Sequence, residues 1–237
     1  MNNNCGNCCN SCRGQLCASK VSIFENLNNE ELLEIVKTIN HKEYAKGDTI
    51  FTEGNVANTL YFINEGNIKL YKYTKDGKEQ ILHILSEGEF FGELDLIKPS
   101  KYGFNAKAIV NSKMCTLTKD EMKDIIMRKP EIGIKVLETV GARVAEVENL
   151  VQNLATNDVD SRLAYLLTDL MEKYGEVAEN CISIKLPLSR EDMANYIGVT
   201  RETISRKLKK FEDEKLIKIV GSKKIIILDE EGLKDYI

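Results

Sequence analysis

A chain of 237 residues with a formal net charge of −4, 43 % hydrophobic and 30 % charged residues, has the make-up of a globular protein of one large domain or two small ones. The longest aliphatic run is Ile225-Ile226-Ile227-Leu228, far short of the roughly 20 apolar residues a membrane span needs, so no membrane partner is expected. The start, Met1-Asn2-Asn3-Asn4-Cys5, lacks the charge and the apolar stretch of a secretory signal, and the expected compartment is the cytoplasm. The only histidines are His41 and His83, which rules out multi-histidine zinc motifs and a His-rich cupin site. Neither stands beside a nucleophile motif and no glycine-rich phosphate loop is present, so the chain is not expected to be an enzyme.

Cysteine is concentrated at one end. Cys5, Cys8, Cys9, Cys12 and Cys17 fall in the first 17 residues, while Cys115 and Cys181 stand alone. Thiols in a chain without a secretion signal are expected to stay reduced, so the cluster reads as metal binding or redox chemistry rather than as disulfides. Two-residue gaps let neighbouring thiolates turn toward one centre, and Gly6, Gly14 and the asparagines permit the turns. On these residues alone an iron–sulfur cluster and a structural zinc site are both open, with a thiol-rich tail as the plain alternative. Cys181 reads as an ordinary half-buried residue near a strand.

Asn28-x-x-Glu31 followed by Leu32, Leu33, Ile35, Val36 and Ile39 predicts a capped amphipathic helix. From about residue 42 to 118, short runs rich in Ile, Phe, Tyr, Val and Thr are separated by glycine turns at a spacing near ten residues. That texture predicts an all-β roll or sandwich, with Asp76-Gly77 turning a hairpin between Ile68–Tyr73 and Gln80–Leu85. Within that span His83 is the only histidine; a metal enzyme or a haem site there would have to use it, with Cys115 as a second axial haem candidate.

From Pro130 the period becomes helical. Leu137, Val140, Val144, Val147, Val151 and Leu154 recur at alternating spacings of 3 and 4, an a/d seam that predicts dimerisation through this helix. In that register Arg143 takes a g position and is placed to pair with Glu148 of a second copy. The competing reading is a seam packed on the chain's own β domain. A further helix is predicted from Asp160 to Tyr174, and a polar connector from Gly175 to Lys185 ending in a short strand.

Residues 188–212 carry a helix-turn-helix pattern. Ser189-x-x-Asp192 caps a first helix with Met193, Ala194 and Ile197 inward; Gly198 stops it; Thr200 caps a second helix with Ile204, Leu208 and Phe211 inward. Thr200, Arg201, Glu202, Ser205, Arg206 and Lys209 are the candidate DNA-binding residues. From Arg201 to Lys224 nine Lys/Arg face four Asp/Glu in an otherwise acidic chain, and Lys215 to Leu228 reads as a basic two-stranded wing turning at Gly221-Ser222.

The order of β roll, seam helix and winged helix-turn-helix resembles the CRP/FNR superfamily of bacterial transcription regulators over nearly the whole chain. Phe91-Gly92-Glu93-Leu94 is similar to that superfamily's effector-domain turn, and Glu202-Thr203-Ile204-Ser205-Arg206 matches the FNR recognition pattern Glu-x-x-Ser-Arg. The resemblance implies an α+β fold: a cyclic-nucleotide-binding-like β roll, a long dimerisation helix and a winged helix-turn-helix. The matching domains are a cysteine-rich cluster-binding segment at 1–20, a sensor roll at 21–129, a dimerisation helix at 130–157 and a DNA-binding domain at 158–237. It implies double-stranded DNA with an inverted-repeat operator of TTGAT-type half-sites as partner, read by a homodimer. Arg206 can bond guanine bidentately and Glu202 can accept from a cytosine amino group. RNA polymerase is a further implied partner; the Lys75-Asp76-Gly77-Lys78 turn is one exposed point for it, and a plain solvent turn is the simpler reading.

Members that bind cyclic AMP hold its phosphate with an Arg-Ser pair after the Gly-Glu-Leu turn. This chain has Lys101-Tyr102-Gly103-Phe104-Asn105 there and no Arg between Arg13 and Arg128, which argues against cyclic AMP. FNR members carry an N-terminal Cys cluster plus one Cys late in the roll. By that resemblance Cys9, Cys12, Cys17 and Cys115 are the candidate ligands of a [4Fe–4S] cluster, with Cys8 or Cys5 as substitutes. Typical members have five residues between the last two N-terminal ligands, where this chain has four, and Cys8 stands beside Cys9. Members with a C-terminal cluster are excluded, since no Cys follows Cys181. The function so implied is a DNA-binding regulator whose dimerisation and operator binding an oxygen-labile cluster controls. A nitric-oxide sensor on the same cluster, or a constitutive regulator with structural zinc, is the alternative.

Overall fold

The computed structural model of the chain describes residues 17–24, 27–93, 101–156, 158–178 and 181–237, with side chains throughout these except at Cys17, Ser22, Glu146, 149–156 and Ala178. The chain divides into two compact units, one ending at Lys72 and resuming over Leu82–Arg143, the other made of Tyr73–Ile81 and Val144–Ile237.

In the first unit, two 3-10 turns, Cys17–Lys20 and Ser22–Phe24, precede α1 (Asn29–Thr38). The predicted cap is present in full: Asn28 accepts from the backbone of Glu30 and Glu31, and Glu31 accepts from the Asn28 N–H. Eight strands follow among the described residues, with Tyr73–Ile81 of the β4–β5 hairpin counted in the second unit: β1 (Asn40–Tyr44), β2 (Thr49–Phe51), β3 (Thr59–Glu65), β4 (Ile68–Tyr73), β5 (Glu79–Leu85), β6 (Phe90–Phe91), β7 (Asn105–Ala108) and β8 (Ser112–Thr118). They form two four-stranded sheets, β1-β8-β3-β6 and β2-β7-β4-β5. Asp76-Gly77 makes the predicted turn between β4 and β5, with Gly77 at positive φ.

Alternation along β3 explains the layering. Tyr61 and Ile63 join Phe51, Leu70, Phe91 and Met114 in a cluster drawn from both sheets, the interior of the roll. Leu60 and Phe62 point the other way, into a second cluster with Cys115 and Leu117. There the sheet's outer face is covered by Ala18, Val21, Ile23, Phe24 and Leu27, by α1, and by helical residues that follow β8.

Those helical residues include one element without a sequence-based assignment. Residues Lys119–Arg128 form α2, capped by Thr118 and Glu121 in a reciprocal box. Next comes α3 (Pro130–Thr156), which begins at Pro130 as predicted. Its first half rests on the outer cluster through Ile132 and Val136. One expectation changes: His41 lies on β1, hydrogen-bonded into the sheet beside β8, so His83 is not the only histidine of the roll.

In the second unit, α4 (Val159–Tyr174) is capped by Asp158. The segment after it is more regular than a polar connector, because Gly175–Ala178 pairs as β9 with β10 (Cys181–Lys185). Then come α5 (Arg190–Ile197), α6 (Arg201–Asp213), β11 (Ile217–Val220), β12 (Lys224–Ile227) and a last turn α7 (Glu230–Lys234). The four strands form one sheet in the order β11-β12-β10-β9. No helix among the described residues is long and apolar enough to cross a membrane.

Candidate nucleic-acid interface and metal centre

The pair α5 and α6 is built as its sequence dictates. Ser189 Oγ accepts from the Asp192 N–H at 3.1 Å, and Asp192 accepts from the Ser189 N–H at 3.1 Å. Gly198 sits at φ 75°, ψ 40°, and its N–H donates to the Ala194 carbonyl, closing the helix with a left-handed residue that a side chain would strain. Thr200 Oγ1 accepts from the Thr203 N–H at 3.3 Å and opens α6. Ile204, Leu208 and Phe211 are fully buried, so the opposite face of α6 is turned to solvent. Thr200, Arg201, Glu202, Ser205, Arg206 and Lys209 are all exposed along that face and its approach. Ser205 Oγ donates back to the Arg201 carbonyl at 3.1 Å. Lys209 lies 3.0 Å from Glu212 and 3.1 Å from Asp213, and these bonds raise its pKa above the usual lysine range.

Two contacts that sequence analysis missed hold α6 in place. Asp160, at the start of α4, is 4 % exposed and receives both Lys207, at 2.8 Å, and Lys210, at 2.9 Å. Burial pushes its carboxyl up, but the bonds and charges of the two lysines outweigh burial and hold it below the ordinary value. Arg162 Nη1 donates to the Ile197 carbonyl at 2.8 Å, fixing the end of α5. Two of the nine basic residues counted toward the patch are therefore committed internally, while Arg201, Arg206, Lys218, Lys223 and Lys224 are exposed on α6 and the β11–β12 wing. The wing turns at Gly221, at positive φ, as expected. The signal for Asp160 was its place just inside the helix start, where an acidic residue is ordinary, and nothing local marks it as an anchor.

On α3, Leu137 is 62 %, Val144 52 % and Val147 43 % exposed, and Ile134 extends the same stripe. Val140 is half-buried against the outer cluster of the roll, and the side chains of Val151 and Leu154 lie outside the described residues. Arg143 departs from its expected pairing with a second copy. It follows Val136 by seven residues and Val140 by three, so it shares the roll-facing side. There its Nη1 donates to Glu93 Oε1 at 2.6 Å, its Nη2 to the Phe90 carbonyl, and its guanidinium stands 5.3 Å from the Phe90 ring centroid. Glu93 is itself 4 % exposed, and its second oxygen is buried without a partner among the described residues. Gly92 is required before it: φ is +90°, and a Cβ there would lie 2.5 Å from the Thr59 carbonyl oxygen.

Of the candidate metal ligands, Cys5, Cys8, Cys9 and Cys12 lie outside the described residues, and Cys17 opens a 3-10 turn with its side chain undescribed. Cys115 is a free thiol on β8, 1 % exposed. Asn64 Nδ2 donates to its sulfur at 2.9 Å, and His41 Nδ1 stands 3.3 Å away. Burial holds the His41 imidazole below its usual pKa, which favours the neutral ring. Cys181, on β10, is half-buried. Among the described residues no three potential ligands converge.

Comparison with known proteins follows the same division. The family model described as "Cyclic nucleotide-binding domain" matches residues 41–129, and the one described as "Crp-like helix-turn-helix domain" matches 161–236. A relative from Mycobacterium tuberculosis, "CRP-like cAMP-activated global transcriptional regulator", is 26 % identical over 91 % of this chain and 96 % of its own length. The "Fumarate and nitrate reduction regulatory protein" of Yersinia pestis is 28 % identical over 91 % of this chain and 86 % of its own. Among solved structures, FixK2 from Bradyrhizobium japonicum superimposes with a TM-score of 0.76 at 21 % identity, over 84 % of this chain and 96 % of that one.

Proposed function

Since the chain is a CRP/FNR family transcription regulator, with a cyclic-nucleotide-binding-type roll and a Crp-like helix-turn-helix, we propose that its dimerisation and operator binding are controlled by an oxygen-labile [4Fe–4S] cluster. The observation that carries this reading is the shared core on the outer face of the roll. Cys115 lies in one apolar cluster with Ala18, Val21 and Phe24, which follow the cysteine-rich segment, and with Ile132 and Val136 of α3. Coordination at Cys115 therefore acts on the same packed surface that seats the dimerisation helix.

The chemistry of the donors fits that group. Cys115 is a buried free thiol, and Asn64 Oδ1, buried in the same corner, has no hydrogen-bond partner among the described residues. Cys9, Cys12 and Cys17 would supply the other thiolates, with Cys8 or Cys5 as substitutes. When bound, such a cluster supplies a redox centre that oxygen, or nitric oxide in the alternative reading, attacks. Residues 1–20 would then tie to the roll at 21–129 and bias the helix at 130–157. Leu137, Val144, Val147, Val151 and Leu154 would form the seam between two copies, while Val140, expected there, packs instead against the chain's own roll. Five such residues contribute roughly 1.5–3 kcal/mol each when fully buried, against roughly 4–15 kcal/mol for association. That balance is close enough for a switch.

The dimer would present two copies of α6, in the domain at 158–237, to successive major grooves of an inverted repeat. Arg206 would read guanine and Glu202 cytosine, Ser205 would read the half-site with them, and Thr200, Arg201 and Lys209 would set register on the backbone. Cyclic AMP is not proposed as the effector. The matched stretch 41–129 contains a single arginine, Arg128, and Glu93 is already occupied by Arg143.

Anaerobic purification, with an absorption spectrum and iron, sulfide and zinc analysis before and after air, tests the reading. A broad visible band that air abolishes together with iron and sulfide is expected, as is its loss in Ser variants of Cys9, Cys12, Cys17 and Cys115. Zinc that survives air, with no chromophore, would contradict it and favour the structural-zinc regulator.

A further inference from the structure

On the outer face of the first sheet, polar side chains converge on one sulfur. Cys115 is directly opposite His41 on β1 and opposite Phe62 on β3. Two residues beyond Phe62, Asn64 continues the row that Leu60 and Phe62 begin, but the register slips between Ile63 and Glu65, where β3 holds one residue more than β8. Asn64 is that extra residue, and a bulge turns a side chain away from the direction a regular ladder would impose. The turned amide is 8 % exposed and donates to Cys115 at 2.9 Å.

A structural cysteine has no need of this. A neutral thiol packs among aliphatic side chains as a small hydrophobe, and it is often fully buried with no donor at all. A buried amide beside it is costly, the more so with Asn64 Oδ1 unpartnered among the described residues. What does need N–H donors in an apolar setting is a thiolate. Hydrogen bonds to ligating sulfurs also draw electron density from them and help set the potential of an iron–sulfur centre.

We propose that Asn64 and His41 are positioning residues for Cys115: their N–H groups hold its thiolate toward the metal and lower the electron density on the sulfur, slowing oxidation of the centre. The proposal rests on the cluster reading above. Asn64 acts through the bulge of β3 and His41 through its register on β1, so the two groups approach from the strands on either side of β8.

The test uses the anaerobically purified full chain and the variants Asn64→Leu, His41→Phe and His41→Asn, the last of which keeps a donor where Nδ1 stands. Iron and sulfide content, the iron–thiolate stretching frequencies by resonance Raman, and the rate of colour loss in air are measured on each. Asn64→Leu and His41→Phe are expected to shift the stretch and to lose the chromophore roughly 10-fold faster, with His41→Asn close to the parent. A folded Asn64→Leu protein, by far-UV circular dichroism, that takes up no iron also supports the role in positioning. If Asn64→Leu fails to fold, the contrast between His41→Phe and His41→Asn decides. Loaded variants with the parent's stretch and decay rate overturn the proposal and leave the cluster reading standing. A parent protein without iron and sulfide overturns both.

Discussion

Arg206 and Lys224 are both exposed cations of the DNA-binding unit, but they stand on different elements and are assigned different tasks. Arg206 lies on the outward face of α6, and its planar fork suits the two acceptors of guanine. Arg206→Ala is expected to cost roughly 1–3 kcal/mol of operator binding and to relax the preference at one base pair, read by competition with half-site variants. Lys224 sits on the wing and is assigned a phosphate contact. Lys224→Ala should weaken all sequences alike and reduce the salt slope of binding by about 1. Glu93 and Arg143 present a different balance, since both are largely shielded from water, at 6 % and 15 % side-chain exposure. Glu93→Leu alone strands a guanidinium and is expected to cost roughly 3–5 kcal/mol in denaturant unfolding. The double change Glu93→Leu with Arg143→Leu should recover most of that loss, which separates the pair's specificity from its net stability.

Elements differ in how openly the sequence announces them. The caps at Asn28, Ser189 and Thr200, the Asp76-Gly77 turn and the stop at Gly198 rest on local chemistry, and each forms where its residues demand. The helix α2 carried an equally local signal, Thr118-x-x-Glu121, but it follows a strand without a break and the β texture masked it. Arg143 takes the roll-facing side for a physical reason. A 3.5-residue repeat assumes one buried seam, whereas α3 turns Ile132 and Val136 to the roll and leaves Leu137 and Val144 exposed, so its apolar residues serve two faces. Asn64 was illegible because Asn64-Glu65-Gly66-Asn67 reads as a turn, and a bulge depends on the partner strand. The anchoring of α6 to α4 through Asp160 is likewise non-local. Because its folded pKa lies below the ordinary value, the bond contributes fully above that value and is lost as pH falls through the folded one. Acid unfolding below about pH 4 should therefore flatten in Asp160→Asn, at the expense of stability at neutral pH; pH-dependent melting curves check it.

For the whole molecule, function rests on association as much as on fold. The exposed stripe of Leu137, Val144 and Val147 is the described part of the surface assigned to a second copy. Val144→Asp should leave the monomer folded and cut dimer formation at least 10-fold, seen by sedimentation at micromolar concentration; a charge buried in a seam costs well over the roughly 1.4 kcal/mol that a factor of ten requires. Because a dimer engages both half-sites, operator affinity should fall with it, while binding to a single half-site should hold. Under the proposed function the same coupling would join Cys115 to DNA, since Cys115 and the seat of α3 share one apolar cluster. The most direct measurement is the affinity of the anaerobically purified protein for an inverted-repeat operator, with the dimer fraction followed in the same samples, before and after a brief exposure to air. The account predicts that iron, dimer and operator affinity are lost together. Loss of iron with dimer fraction and affinity unchanged would contradict it.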